Sequence, residues 1–191
     1  AEGQAAPPKS LREAVLEPFV DYFKRMGAFE ILAFILLYKI GDVMANSMTT
    51  PFILKMGFTK TELAAVVKTF GIFATIAGGL VGGILLIRLG LCKGLWIFGI
   101  LQAVSTLSFS ALASVGAYHS VLAATVTFEN LTSGMGTAAF TAFMASLCNK
   151  RFTATQYALL SSLMGIPRVI VASPTGFLAE RIGWIHFFIF C

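Results

Sequence analysis

The chain has 191 residues, of which 57% are hydrophobic and 12% charged, with a formal net charge of +5 and a mean hydropathy of +0.84. A soluble domain carries roughly 25% charged residues, so this balance excludes an ordinary water-soluble protein and indicates a polytopic membrane protein. The positive charge stands mostly at the ends of apolar segments, where it sets topology, and this excludes nucleic-acid binding as its meaning.

Residues 1–28 read as a cytoplasmic linker carrying an amphipathic helix. Ala5-Ala6-Pro7-Pro8 is linker-like, and Ser10-Leu11-Arg12-Glu13 has the S-x-x-E pattern of a capping box. Leu11, Ala14, Val15, Phe19 and Tyr22 recur at helical spacing, while Glu13, Glu17, Asp21 and Arg25 follow one another four residues apart. Such a helix is expected to lie on the membrane surface, kinked at Pro18. With no initiator Met and no visible signal peptide, the start reads as the middle of a longer polypeptide.

Residues 29–191 read as a transmembrane bundle. A membrane-crossing helix needs about 20 mostly apolar residues. Five stretches qualify: Phe29 to Phe52, Leu63 to Ile87, Leu95 to Val115, Val121 to Cys148, and Tyr157 to Ala179. A sixth begins at Trp184 and stops at Cys191 after a helical rise of only about 12 Å, which reads as a truncated span. The expected fold is therefore all-α, five complete spans and part of a sixth. Placing Lys9, Arg12, Lys24, Arg25, Arg88, Lys93, Lys150 and Arg151 in the cytoplasm, against Lys55, Lys60 and Arg181 outside, satisfies the positive-inside rule.

Charges within these spans are the candidate functional residues, because a charge at bilayer depth costs roughly 2.5–3.5 kcal/mol and marks a polar cavity or a partner. On the first span Lys39, Asp42, Asn46 and Thr49 or Thr50 fall on one helical face, expected to look inward. On the second, Gly71, Thr75, Gly79 and Gly83 repeat every four residues, as do Gly78 and Gly82, which are helix-packing faces. Lys68 near its outer end either snorkels to the interface or binds an anion. Glu129 is the sole charge of the fourth span, beside Thr125 and Asn130. A carboxyl buried in low dielectric tends to take up a proton and suits a relay; the alternative is a fixed ion pair with Lys39, Lys68 or Arg168. Arg168 follows Pro167, so an opened helix presents a guanidinium able to hold a carboxylate or phosphate, unless it too is internally paired.

Other patterns carry no function. Cys92, Cys148 and Cys191 form no C-x-x-C pair, and His119 and His186 are isolated in sequence, so neither a disulfide framework nor a metal site is expected. Gly134-x-Gly136-x-x-Ala139 lacks the βαβ setting of a dinucleotide site, and Asn130-Leu131-Thr132 is a glycosylation sequon inside a span. No enzyme motif, P-loop or cofactor site is present, so neither enzyme chemistry nor ATP-driven pumping is indicated.

Several strings resemble the second half of the AmpG-type muropeptide permeases of the major facilitator superfamily: Tyr38-Lys39-Ile40-Gly41-Asp42, then Phe128-Glu129-Asn130 with Gly134-Met135-Gly136-Thr137, then Leu147-Cys148-Asn149-Lys150 leading to Ala154 through Ser161. The loop Gly83 to Gly90 is similar to the superfamily's cytoplasmic loop signature, apart from Ile87, where an acidic residue is usual. The resemblance implies half of a twelve-helix permease of the bacterial inner membrane, importing anhydromuropeptides by proton symport, an uptake that also feeds β-lactamase induction in many Gram-negative bacteria. It implies a missing N-terminal six-helix half, and the substrate held between halves at the midplane. For such a substrate Lys39, Asn46, Lys68, Asn130 and Arg168 are expected as contacts, with Asp42 and Glu129 as proton carriers. Alternatives are a transporter of another anionic solute, such as acetyl-CoA, or a non-transporting receptor or assembly subunit.

Overall fold

The computed structural model describes residues 17, 20–24, 27–149, 153–163 and 165–191. The capping box at Ser10 and most of the amphipathic segment, including Pro18, lie outside them.

Four long helices form the body: α1 Ala28–Lys55, α2 Lys60–Leu89, α3 Leu91–Val115 and α4 His119–Leu147. Shorter pieces follow: α5 Thr153–Leu163, α6 Gly165–Ile170, α7 Ala172–Ile182 and α8 Trp184–Phe190. The start of α2 is fixed by a capping box in which the Thr59 hydroxyl accepts from the Glu62 amide at 3.2 Å and the Glu62 carboxylate accepts from the Thr59 amide at 2.8 Å. Between α2 and α3 stands Gly90 alone, with φ +78°, a left-handed conformation that makes the turn available to glycine.

Within the fifth expected span the described residues fall in α5, α6 and α7, and a turn at Val171 separates α6 from α7. A proline inside a helix removes one amide donor and crowds the carbonyl four residues earlier. For Pro174 that carbonyl belongs to Ile170, where α6 ends.

Contacts fix the directions of the long helices. Tyr38 reaches Leu95, and Phe52 meets Phe109, so α1 and α3 run parallel. Gly78 abuts Leu131 and Gly82 abuts Met135, so α2 and α4 also run parallel. Ser105 meets Thr132 while Gln102 faces Gly136, which makes α3 and α4 antiparallel. Direction thus alternates from each long helix to the next.

The α2–α4 seam is the closest. A Cβ added to Gly78 would run into the carbonyl oxygen of Leu131, one added to Gly134 would run into that of Thr75, and one at Gly82 would lie 2.7 Å from the Met135 Cα. Lipid tails are as apolar as the side chains, so in a bilayer such backbone approach supplies packing that the hydrophobic effect does not. A Cβ added to Gly79 or Gly83, on the other glycine repeat, would meet open space.

Buried side chains form two apolar clusters at opposite ends of the bundle. One gathers Phe52, Ile53, Phe109, Leu112, Leu122, Phe187 and Phe188. The other gathers Ile35, Leu95, Phe98, Phe140, Met144 and Leu160, together with Tyr22 from the described part of the N-terminal segment. Beside Tyr22, Asp21 accepts hydrogen bonds from Gln156 at 2.9 Å and Asn149 at 3.4 Å, so these residues dock on the α4–α5 end of the bundle.

Much of the apolar surface faces outward. Of the long helices, α2 and α3 are apolar enough by length and composition to cross a membrane, yet only 22% and 44% of their apolar stretches are buried inside the protein. The core helix of a water-soluble domain would be mostly covered; here Ile72, Phe73, Ile76, Leu80, Ile84 and Ile87 are exposed along α2.

Candidate functional site: a charged cluster between the two apolar cores

On α1 the residues after Ile35 and before Met44 fall between the two apolar clusters. There the Lys39 ammonium donates to Asp42 Oδ2 at 2.9 Å, an ion pair one helical turn long. The i, i+3 spacing read from the sequence brings the pair together because both side chains project from the same face. The Lys39 side chain keeps 9% of its exposure and that of Asp42 16%, so little water competes for either charge. Lys39 also lies 5.8 Å from the centroid of the Phe140 ring, on which the ring of Tyr38 is stacked.

The second oxygen of Asp42 is equally engaged. Its Oδ1 accepts from Asn46 Nδ2 at 2.8 Å and from Gln102 Nε2 at 2.6 Å. Asn46 is one turn further along α1 and stands near Glu129 on α4. Glu129 in turn stands within Coulomb range of both Asp42 and Lys39. Three helices thus contribute to one group: Lys39, Asp42 and Asn46 from α1, Gln102 from α3, and Glu129 from α4. Asp42 stands about 20 Å along the axis from either end of α1.

A cavity of about 330 Å³ opens between α1 and α3. Asp42, Gln102 and Thr106 form its polar wall, and Phe34, Leu37 and Trp96 part of its apolar one. Asp42 therefore borders this cavity while its carboxylate remains tied to Lys39, Asn46 and Gln102.

The remaining expected residues are placed elsewhere. Asn130 donates to the Val126 carbonyl at 2.8 Å and its Oδ1 accepts from Thr75 at 3.1 Å, so its amide serves the α2–α4 seam. Lys68 is exposed in a π-helical turn, Val67–Gly71, within α2. Arg168 is exposed in the last turn of α6. Among the described residues the only ion pairs are Lys39–Asp42 and an exposed contact of 2.8 Å between His119 and Glu62, so Glu129 has no cation within ion-pairing distance. His119, isolated in sequence, is thus joined in space to the capping residue of α2.

Gln102 is the residue that sequence reasoning passed over. It carries the one side-chain amide of α3, at the centre of an apolar helix, and that is the signal by which it was open to detection.

An outward-facing apolar bundle with a charged group at mid-depth has the make-up of a membrane transport protein. No protein-family model matches the chain. Over 96% of its length it is 47% identical to the anhydromuropeptide permease of Escherichia coli strain K12, spanning 38% of that protein. It is 40% identical over 92% of its length to the Rickettsia conorii transporter named AmpG 4, and 40% identical over 84% to the Rickettsia prowazekii transporter named AmpG 1, spanning 42% and 36% of them. Nearly the whole chain is therefore homologous to a portion of the AmpG-type permeases, and it spans about two fifths of the length of these relatives. These relatives are named as permeases and transporters, not as enzymes, and with the outward-facing apolar helices they make this a membrane protein.

Proposed function

We propose that this chain is the second half of a proton-coupled permease that imports anhydromuropeptides across the bacterial inner membrane, as a multi-pass bundle completed by a six-helix N-terminal half. The observation that carries the reading is the group Lys39, Asp42, Gln102 and Glu129, assembled from three helices at mid-depth in a chain homologous to permeases of that substrate. A carboxylate paired with a lysine suits a coupling step: protonation of Asp42 removes the charge that holds Lys39, and frees the ammonium for a substrate carboxylate. Glu129, near the pair on α4, is the second proton carrier.

In this reading the exposed cations Lys68 and Arg168 contact the acidic groups of a muropeptide, and Lys39 and Asn46 contribute when Asp42 releases them, while Asn130 would have to leave the α2–α4 seam to reach substrate. An internal ion pair does not engage Lys68 or Arg168 among the described residues, which favours their availability to an anion.

The test is uptake of labelled anhydromuropeptide by cells lacking their own permease and given this sequence joined to its N-terminal half. Accumulation that collapses when the proton gradient is dissipated is the expected result. A complete, membrane-inserted protein that fails to accumulate this substrate but takes up another anionic solute would overturn the assignment.

A further inference from the structure

We propose that Gln102 is a positioning residue for Asp42 whose amide accommodates both protonation states of that carboxyl, donating to it when ionised and accepting from it when protonated. This deepens the proposed function and rests on the proton-carrying role given there to Asp42.

The geometry starts from the donors around Asp42. In the ionised carboxylate Oδ2 receives the Lys39 ammonium, and Oδ1 receives Asn46 Nδ2 and Gln102 Nε2. All three contacts are donations, so the arrangement suits a negative charge and offers a carboxylic acid proton no acceptor. A proton arriving on Asp42 therefore requires one partner to change role. An ammonium has no acceptor atom, so Lys39 has none to offer. Asn46 is engaged by the backbone carbonyl of Asp42 at 3.0 Å and stands near Glu129 as well. Gln102 carries a carbonyl oxygen on the same flexible end as its donor, and rotating the amide about its last bond exchanges the two.

The Gln102 amide is seated against a glycine. Gln102 Oε1 points at Gly136 on α4, where a Cβ would come within 2.7 Å of it. The missing side chain at Gly136 is therefore what lets the Gln102 amide stand between α1 and α4. Gln102 is also the hydrogen-bond partner of Asp42 that comes from another helix, so a change in that bond acts on the α3–α4 contact and not on α1 alone.

Other groups about Asp42 are accounted for. Lys39 and Tyr38 face it from α1, Glu129 from α4, and Cys191 after α8 borders the same cavity. The elements α6 and α7 also pack on α1, but their charged residues Arg168, Glu180 and Arg181 are exposed, and Lys39 is the only cation within 4 Å of Asp42 among the described residues.

The experiment measures initial uptake of labelled anhydromuropeptide against external pH, in energised vesicles containing the complete permease. Gln102→Leu removes both the donor and the acceptor. Because a charge-assisted bond to the carboxylate is lost, the pH of half-maximal uptake is expected to move by about 1 unit toward alkaline. Gly136→Ala, which crowds Oε1 and leaves Gln102 in the sequence, is expected to move it in the same direction, and serves if Gln102→Leu does not reach the membrane. Profiles of both variants that superimpose on the wild type after scaling, differing only in maximal rate, would show that Gln102 merely packs. A wild-type permease with no proton-driven uptake at any pH would instead sink the proposed function, and this inference with it.

Discussion

Lys39 and Asp42 hold each other at 2.9 Å one turn apart on α1, both shielded from water at the middle of a helix flanked by apolar clusters. The same distance suits two roles, a pair that breaks in each transport cycle or a pair that only keeps two charges quiet. They make opposite demands on substitution.

In the complete permease Asp42→Asn is expected to abolish proton-driven uptake while the protein stays inserted, because asparagine keeps the shape but does not take and release a proton. If Asp42 only neutralised Lys39, the single substitution would leave a shielded ammonium unpaired, at a cost of about 3–5 kcal/mol, and Lys39→Met with Asp42→Asn would restore transport. Accumulation by the double variant at near wild-type level would remove the coupling role of Asp42.

The α2–α4 seam predicts a sharp contrast between adjacent glycines. Gly78→Ala places a methyl against the Leu131 carbonyl and is expected to lower stability by about 1–3 kcal/mol, whereas Gly79→Ala meets open space and should be neutral or slightly stabilising. Thermal unfolding of the two variants in detergent, followed by circular dichroism, checks the difference. Equal midpoints would mean that the seam is looser than described.

The arrangement of charges predicts sidedness. With Cys92 replaced by Ser, a cysteine at Lys93 should resist a membrane-impermeant thiol reagent added to intact cells, while one at Lys55 should react. Lys55 ends α1 and lies 5.7 Å from the ring of Trp184, whereas Lys93 stands just after the α2–α3 turn, so the two report opposite ends of the bundle. Labelling of Lys93→Cys from outside would invert the proposed topology.

The 191-residue chain by itself should not transport. A major-facilitator-type site is enclosed by two halves, and this chain would supply one wall of it. Reconstituted into liposomes with an imposed proton gradient, it is expected to give uptake no greater than empty vesicles. Substrate accumulation by the isolated chain would contradict the two-half reading.

The helices and the ion pair were legible in the sequence because each depends on local periodicity. Apolar runs located α1 to α4, of which α2 and α3 are apolar enough to cross a membrane, and the i, i+3 spacing of Lys39 and Asp42 put them on one face before any neighbour was known. The contact of His119 with Glu62 was not legible, since 57 residues separate them. The glycine repeats announced close packing without saying which repeat was used. Only the register of α2 against α4 decided that Gly78 and Gly82 touch backbone while Gly79 and Gly83 do not.

Sequence by itself determined which side chains are too polar for lipid, since transfer energy is a property of each residue and its window. Tertiary structure decided which of them meet. Asn130 went to the α2–α4 seam, Lys68 and Arg168 remained at the surface, and Gln102, neutral and unremarked in its helix, became the partner of Asp42 across 60 residues of chain. The reason is that hydrogen bonds and ion pairs act over a few ångströms, and the distance between two helix faces is fixed by packing register and not by the spacing of residues along either helix.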